Sequence, residues 1–320
     1  MNCHVSPLPA CLTYVTMAPM PTIPASRRRA AALRRSWLFL PGAERAGLLA
    51  ATASGADVLI QELEDFTPPA RRAEARRLAP EIYDAWRAAG AIAGVRINPL
   101  ETEGHIDLAA VMAGKPDVVL MSKVAERRQV VALAEEVLRL EYAHGIPSGS
   151  TELAPNIETA RGLIETYAIA TASPRVTAVL GSTEDMAADL GAPRTRGAEE
   201  LRYVRQRLHL ECTAAKVLTI DCPYTFADIA GCEADARTAR SMGYIAKSAV
   251  NPAHIAAINA VMTPSAEEVR QAQAAILAFE AARARGEDRV EVDGLMVEVP
   301  SYFSAQRLLA RAKALGVAGA

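Results

Sequence analysis

The sequence has little of what zinc-binding, disulfide-rich or membrane-spanning proteins require. Its five cysteines include no Cys-x-x-Cys pair, and its five histidines show no His-x-x-x-His spacing. We therefore expect neither a zinc site nor a disulfide framework. No run approaches the roughly 20 apolar residues that cross a bilayer. The absence of Gly-x-Gly-x-x-Gly and Walker sequences argues against a bound dinucleotide or nucleoside triphosphate.

Excess charge of either sign is also missing. The 320 residues include 35 basic and 37 acidic side chains, for a formal net charge of −2. This balance gives no electrostatic reason to expect a nucleic-acid or membrane partner. With 51% hydrophobic residues, the chain can build one large domain or two small ones. The cysteine usage predicts a reducing, cytoplasmic location.

Residues 1–34 differ in composition from the rest of the chain. They contain five prolines, arginines clustered at 27–29, and no acidic residue. A basic segment without acidic residues is compatible with a transit peptide. Its lack of a hydrophobic period favours a disordered leader, or one that precedes a true start at Met17 or Met20. We predict a disordered leader over residues 1–34.

Short apolar runs alternate with charged, alanine-rich stretches from residue 35 onward. The stretches 127–144 and 199–215 have helical periodicity, and this alternation indicates βα units around a parallel sheet. Eight units in roughly 220 residues fit a closed (β/α)8 TIM barrel better than an open sheet. We predict this α/β barrel over residues 35–262. The eight runs are 36–40, 57–60, 93–97, 117–121, 152–157, 175–180, 215–220 and 244–250.

Residues 263–320 lie beyond the eight units and are predicted to form a C-terminal extension. Ser265 and Glu268 have the spacing of a capping box, which predicts a helix continuing to about residue 285. Alternation over 290–299 around Asp293-Gly294 predicts a hairpin. A last helix is predicted over 304–315. The extension either packs on the barrel or forms a lid.

Polar residues follow the ends of most apolar runs. In a barrel all parallel strands end on one face, where the active sites of such enzymes lie. We therefore expect these residues to converge around one mouth, although any single one could be a helix cap or a loop residue. They are Glu62, Glu64, Asp65, Arg96, Asn98, Lys123, Glu158, Glu184, Asp185, Asp221, Lys247 and Asn251.

Glu158 and Asp185 follow adjacent predicted strands, so their carboxylates should lie close together. Like charges at short range cannot both stay ionised without a cation. Two carboxylates with positions left for water suit Mg²⁺. The alternative is that each carboxylate serves the N-terminus of the helix that follows it. The spacing leaves both interpretations open.

Arg96 lies inside an apolar run and must find an anion, because burying an unpaired guanidinium is prohibitive. It could bind a substrate carboxylate through two hydrogen bonds. It could equally form a structural ion pair with Glu62, Glu64 or Asp65. These three acids could also order metal-bound waters, hold Lys123, or form a solvated loop.

Lys123 and Lys247 raise the possibility of Schiff-base chemistry, which requires a lysine with a lowered pKa. Candidate acids surround both lysines in the predicted barrel and would keep them protonated. Ion pairing is therefore the predicted role for each.

Six motifs together resemble the citrate lyase beta-subunit-like family of the HpcH/HpaI aldolase superfamily, over about residues 35–315. Each is weak alone, but they occur in the family's order and spacing. They are residues 35–42, Glu62-Leu63-Glu64-Asp65 with Arg72 and Arg76 after it, Val95-Arg96-Ile97-Asn98, Ser122-Lys123-Val124, Ile157-Glu158-Thr159-Ala160, and residues 181–186.

The resemblance implies a (β/α)8 barrel that assembles as trimers or hexamers and binds Mg²⁺ through Glu158 and Asp185. It also implies that Arg96 and Glu158 contact the substrate. Family members cleave malyl-, methylmalyl- or citramalyl-CoA, or citryl groups on an acyl carrier. In several members, a C-terminal segment of a neighbouring subunit carries a catalytic acid, and Glu298 matches that acid. The extension would then be a lid over the neighbour.

Several positions depart from the family pattern. The metal residues are retained, so the departures bear on the exact reaction more than on metal binding. They are Glu62 for an aspartate, Phe66-Thr67 for Ala-Val, Ala246 for a glycine, Asn251 for a histidine, and Glu298 for an aspartate.

The sequence therefore predicts a Mg²⁺-dependent carbon–carbon lyase. Its substrate would be a small 3-hydroxyacyl thioester of CoA or a carrier, cleaved to a 2-oxo acid and an acyl thioester. Glu158 and Asp185 would hold the metal, Arg96 the carboxylate, and Glu298 would act as the acid. The alternatives are a free 2-oxo acid aldolase, a non-catalytic metal-binding subunit, and a Schiff-base aldolase.

Overall fold

Eight parallel strands close into a barrel in chain order, which confirms the predicted fold. The computed structural model describes residues 29–320. Residues 1–28, most of the predicted leader, lie outside the described residues. The strands are β1 (Ser36–Pro41), β2 (Val58–Glu62), β3 (Ile92–Ile97), β4 (Val118–Met121), β5 (Glu152–Ile157), β6 (Ala178–Gly181), β7 (Leu218–Asp221) and β8 (Ala246–Ala249).

Ten helices follow the strands and cover the outside of the barrel. The strand sequences read as continuous apolar runs because the sheet is buried on both faces. The helices are α1 (Arg45–Ala50), α2 (Pro69–Ala88), α3 (His105–Val111), α4 (Arg127–Ala143), α5 (Ala160–Ile164), α6 (Thr166–Ala170), α7 (Glu184–Asp189), α8 (Arg202–Ala215), α9 (Ile229–Ser241) and α10 (Ile255–Met262).

Alternate strand residues point into the barrel, where they form a core separate from the larger core under the helices. The interior residues include Ile60 on β2, Ala154 on β5 and Ile220 on β7. Counting in steps of two from them places Glu62 and Glu158 inward. The same count places Asp221 outward, toward the helices.

The N-terminal ends of the strands are closed by arginines. Arg34 is buried and donates two hydrogen bonds to Glu152, of 2.6 and 2.8 Å. Asp57 pairs with both Arg29 and Arg35. Residues 29–34 therefore pack against the barrel, although the prediction assigned them to the leader.

The C-terminal extension begins with α11 (Ala266–Ala284), and its predicted Ser265–Glu268 capping box is present. Strands β9 (Val290–Val292) and β10 (Leu295–Val297) form the predicted hairpin. It turns through Asp293 and Gly294, both at positive φ. Among residues 29–320, no helix has the length and hydropathy needed to cross a membrane.

The last helix, α12 (Val299–Ala314), begins five residues before its predicted start. Glu298 forms a capping box with Ser301 there, and Pro300 fits the first turn. Near the other end of α12, Arg311 donates to the backbone oxygens of Ile245 and Met262. These carbonyls lie at the N-terminal end of β8 and the end of α10, so α12 docks at the end of the barrel opposite the mouth.

Lys247 and Asp221 point outward into a buried ion network, so their predicted position at the mouth is wrong. Lys247 Nζ lies 2.6 Å from both Asp221 and Asp235. Arg205 contacts the same two aspartates, at 2.8 Å each. The predicted ion pairing of Lys247 is confirmed, and the network joins β7 and β8 to α8 and α9. Asn251 caps the turn after β8.

Replacing Lys247 with methionine should destabilise the fold. The variant keeps much of the side-chain volume but leaves two buried aspartates facing one arginine, which typically costs about 3–5 kcal/mol. The urea dependence of tryptophan fluorescence and circular dichroism measures the free energy of unfolding. Arg237→Ala, which breaks an exposed pair with Glu233, is the control and should change it by less than about 0.5 kcal/mol. Equal stability of the two variants would contradict a structural role for the network.

Candidate active site at the barrel mouth

A cavity of about 340 Å³ opens at the C-terminal ends of the strands. Parallel strands bring residues from the whole chain to this one face. The lining residues come from β1, β2, β3, β5, β6, β7 and β8 or directly follow them. They are Phe39, Asp65, Phe66, Arg96, Asn156, Leu180, Gly181, Ser182, Thr183, Glu184, Asp185, Pro223, Thr225, Ser248 and Val250.

Arg96 is the buried cation of this mouth. It points inward from β3, and its Nε donates to Glu62 Oε1 at 2.9 Å. Its Nη atoms lie 3.4 Å from Glu64 and 3.7 Å from Glu158. The predicted ion pairing with Glu62 and Glu64 is confirmed, whereas Asp65 lies near Lys123 instead. The two looser contacts leave the Nη atoms available for another carboxylate.

Glu62 is fully buried and serves two purposes. Besides pairing with Arg96, its carboxylate accepts hydrogen bonds from the backbone N–H groups of Glu64 and Phe66, at 2.7 and 2.6 Å. A carboxylate with one cationic and two N–H partners is well compensated despite its burial. Glu62 therefore fixes the turn after β2 and the guanidinium together.

Lys123 pairs with Glu64 at 2.5 Å and has a positive φ of 54°. Its carboxylate neighbours raise the pKa of Lys123, which confirms the expectation of a protonated, ion-paired lysine. Burial raises the pKa of Glu64, against the opposing effects of Arg96 and Lys123. Glu64 contacts both cations, with Oε1 at 2.5 Å from Lys123 and Oε2 at 3.4 Å from Arg96.

Glu158 is buried at the end of β5, and its Oε2 has no hydrogen-bond partner among the described residues. Burial raises the pKa of Glu158 to about 8, which the charge of Arg96 opposes and those of Glu64 and Asp185 reinforce. The alternative that Glu158 caps the next helix is wrong, because the Thr159 side chain caps α5. The Oε1 of Glu158 instead lies 3.7 Å from Arg96, which lines the cavity, although Glu158 is not itself among the lining residues.

Asp185 lies in the first turn of α7 and lines the cavity. Ser182 donates a hydrogen bond of 2.9 Å to its Oδ2. Its position at a helix N-terminus fits the predicted electrostatic alternative, and its charge also contributes to the raised pKa of Glu158. A cation between them would relieve this repulsion.

The charges of the mouth favour a bound cation. Apart from Glu184, which lines the cavity and pairs with Arg194, five carboxylates lie around two cationic side chains, Arg96 and Lys123. They are Glu62, Glu64, Asp65, Glu158 and Asp185. Within residues 29–320, no three His, Cys, Asp or Glu side chains are arranged to hold a metal. A metal held by Glu158 and Asp185 would keep most of its coordination positions for water and substrate, as Mg²⁺ usually does. The partnerless Glu158 oxygen fits that role.

Sequence reasoning missed several residues of the mouth. Asn156 lines the cavity two residues before Glu158, and strand alternation could have found it. Phe39 and Phe66 lie with ring centroids 5.1 and 5.6 Å from Arg96 Cζ. The sequence carries no signal for the contact with Phe66. Glu298 is exposed and does not line this cavity.

The fold and the mouth together define a class: (β/α)8 barrels with a cluster of charged side chains at the C-terminal ends of the strands. A sequence model of the HpcH/HpaI aldolase/citrate lyase family matches residues 35–252. The citrate lyase subunit beta of Escherichia coli is 32% identical over 298 residues, covering 91% of this chain and 97% of that protein. A (3S)-malyl-CoA thioesterase of Cereibacter sphaeroides is 33% identical over 284 residues, covering 88% and 95%.

A solved structure extends the similarity to three dimensions. The protein CitE from Mycobacterium tuberculosis, in complex with magnesium, acetoacetate and coenzyme A, matches with a TM-score of 0.70 and 26% identity. The match covers 88% of this chain and 99% of that one. The chain belongs to the HpcH/HpaI aldolase/citrate lyase family. It is a carbon–carbon lyase of the CoA-ester type.

The raised pKa of Glu158 predicts a pH-dependent effect of Glu158→Gln in EDTA. The ionised carboxylate penalises the folded state, so this penalty is absent below about pH 4.5 and grows as the pH rises toward 8. The free energy of unfolding of the variant should equal that of the parent near pH 5. At pH 8.5 it should exceed that of the parent by roughly 2–5 kcal/mol. Urea unfolding at both pH values measures the difference.

The control for this measurement is Glu291→Gln on the exposed hairpin strand β9. Its stability relative to the parent should not change between the two pH values. A Glu158→Gln variant whose advantage is the same at pH 5 and pH 8.5 would contradict the raised pKa.

Proposed function

We propose that this protein is a Mg²⁺-dependent lyase that cleaves or forms a small 3-hydroxyacyl thioester, such as malyl-, citramalyl- or citryl-CoA. The products of cleavage are a 2-oxo acid and an acyl thioester. The observation that carries the proposal is the joint placement of Arg96, Glu158 and Asp185 in one mouth of the barrel. A buried arginine suits a substrate carboxylate, and the paired carboxylates suit a divalent cation.

Glu158 and Asp185 would hold the Mg²⁺. The buried, partnerless Oε2 of Glu158 and the mutual repulsion of the two carboxylates fit such an ion. When bound, the cation supplies Lewis-acid stabilisation of negative charge on the oxygen of the 2-oxo acid half. CitE of M. tuberculosis was solved with magnesium, which supports the assignment.

Arg96 binds and orients the carboxylate of the 2-oxo acid half. Glu62 holds its Nε, whereas the Nη atoms make only the longer contacts with Glu64 and Glu158, and Arg96 lines the cavity. In cleavage, the hydroxyl loses its proton to solvent water, its oxygen becomes the carbonyl oxygen of the 2-oxo acid, and the carbon–carbon bond breaks. The bond's electron pair goes to the thioester α-carbon, which takes up a proton. We assign that proton to Glu298 of a neighbouring copy.

The proposal includes an assembly, because Glu298 lies outside the cavity of its own chain. We propose a homotrimer or homohexamer in which residues 263–320 form a lid over a neighbouring barrel of residues 35–262. Leu295 and Met296 of the extension are exposed apolar residues near Glu298, and contact with another copy would bury them. A cytoplasmic location remains part of this proposal, as does a leader, which the packing of residues 29–34 limits to the residues before 29.

The test of the reaction is turnover of malyl-, methylmalyl-, citramalyl- and citryl-CoA with Mg²⁺ or EDTA, followed by mass spectrometry. We expect at least one thioester to yield a 2-oxo acid and an acyl-CoA, and EDTA to abolish the reaction. Glu158→Gln and Asp185→Asn should lose calorimetric Mg²⁺ binding while keeping the native circular dichroism. Glu184→Gln, the neighbouring acid in the same helix turn, should keep Mg²⁺ binding.

The products distinguish this reaction from its alternatives. Free CoA with an intact hydroxy acid would indicate thioester hydrolysis, the activity named for the C. sphaeroides relative. Cleavage of a free hydroxy acid without any thioester would indicate a 2-oxo acid aldolase. Mg²⁺ binding without turnover of any substrate would indicate a non-catalytic subunit. Each of these results would contradict the proposed reaction.

Subunit mixing tests the assignment of Glu298. Arg96→Ala and Glu298→Gln should each reduce kcat at least roughly a hundredfold when assayed alone. Because one variant keeps Arg96 and the other keeps Glu298, mixed oligomers should regain a measurable part of the parent activity. Mixing two preparations of the same variant is the control. Equal inactivity of the mixed oligomers, with subunit exchange shown by native mass spectrometry, would contradict action across subunits.

A further inference from the structure

Phe66 places a large apolar side chain at the rim of the mouth, beside Arg96. Its ring centroid lies 5.6 Å from Arg96 Cζ, and 39% of the residue is exposed. Phe39 lies deeper, with its centroid 5.1 Å from the same atom and 4% exposed. Both rings line the cavity. The guanidinium therefore has one aromatic neighbour inside the barrel and one at its rim.

The backbone holds Phe66 in this position. Its N–H donates to Glu62 Oε2 at 2.6 Å, and Thr67 Oγ1 donates to the Glu62 carbonyl at 2.5 Å. Thr67 Oγ1 also accepts the Gly42 N–H at 2.9 Å. A Cβ at Gly42 would lie 2.3 Å from the Glu62 carbonyl, so the end of β1 packs closely against this turn. The ring is therefore a fixed wall of the cavity.

We propose that Phe66 is a specificity-determining residue, which limits the substituent on the carbon next to the substrate carboxylate. The inference rests on the proposed function, in which Arg96 binds that carboxylate. A carboxylate paired with Arg96 lies about 3 Å from the guanidinium nitrogens. The adjacent carbon then carries its substituent toward a ring whose centroid is 5.6 Å from Cζ. We expect a hydrogen or a methyl group to be accepted there and an ethyl group to be disfavoured. Of the thioesters named above, this favours malyl- and citramalyl-CoA over citryl-CoA, whose 2-oxo acid carries a carboxymethyl group.

The size of the cavity agrees with a small substituent. Its volume of about 340 Å³ lies at the low end of the roughly 300–1,000 Å³ that is usual for ligand pockets. The thioester half is joined to the same carbon as this substituent. The inference assigns the substituent, and not the thioester half, to the side of the cavity that Phe66 lines.

Equilibrium binding of 2-oxo acids tests the inference without requiring turnover. Calorimetry in the presence of Mg²⁺ compares glyoxylate, pyruvate and 2-oxobutyrate, which carry hydrogen, methyl and ethyl groups. The parent should bind 2-oxobutyrate at least about tenfold more weakly than pyruvate, the lower end of the effect of one methylene in a fitted site. In Phe66→Ala that ratio should fall below about threefold. Phe66→Leu should lie between them and serves if the alanine variant fails to fold.

Phe226→Ala is the matched control. Phe226 lies with its ring centroid 4.8 Å from Arg196 Cζ, a similar arginine–phenylalanine pair, and does not line this cavity. Phe226→Ala should keep the parent's ratio of the affinity for pyruvate to the affinity for 2-oxobutyrate. Where the enzyme condenses 2-oxo acids with acyl thioesters, its preference for acetyl- over propionyl-CoA should be the same in the parent and in Phe66→Ala.

The outcomes separate this inference from the proposed function. If the affinity of the parent for 2-oxo acids falls with the size of the substituent and Phe66→Ala removes this dependence, the inference is supported. If no thioester is turned over in that case, only the lyase proposal fails. Turnover with an unchanged size dependence in Phe66→Ala overturns the inference and leaves the lyase proposal intact. A uniform loss of affinity for all three acids would mean that the ring only orients Arg96, which also overturns it. If the parent binds none of the three acids, both proposals fail.

Discussion

The mouth of the barrel is organised by the need to compensate one buried guanidinium. Arg96 points into the barrel interior, where an unpaired charge would be prohibitively costly. Glu62 meets this need with a hydrogen bond from the Arg96 Nε, and the same carboxylate holds the backbone of the turn after β2. That turn sets the positions of Glu64 and Phe66. The cation at the end of β3 therefore determines the shape of the neighbouring loop.

Too many acids surround this cation for all of them to be paired with it. Lys123 takes the closest contact with Glu64, and Glu158 remains buried with an oxygen that has no hydrogen-bond partner in the described chain. The mouth is thus poorly compensated in the protein alone, although the rest of the barrel pairs its buried charges closely. Sites prepared for ligands commonly show this imbalance, because the ligand supplies the missing charge.

Periodicity and strand topology allowed much of this arrangement to be predicted. The eight runs gave the barrel, and the residues after them gave Arg96, Glu158 and Asp185 at one mouth. Asp221 and Lys247 were misplaced because a shift of one residue moves a strand side chain to the opposite face, and run boundaries are not that precise. The contact of Phe66 with Arg96 depends on a loop conformation that leaves no pattern in one sequence. The proposed role of Glu298 came from the family resemblance alone, because an interface between copies leaves no periodic pattern.

The ion network behind β7 and β8 has a consequence for how this protein can change over evolutionary time. Lys247, Arg205, Asp221 and Asp235 satisfy one another with two charges of each sign, and all four are buried. Loss of any one member leaves a net charge in a region without water, so a neutral replacement requires coordinated changes on different elements. Two compensating substitutions at different positions seldom arise together. The sequence of this side of the barrel should therefore change slowly among descendants. Loops at the mouth are exposed to solvent, so substitutions there are tolerated and can change the substrate that is bound.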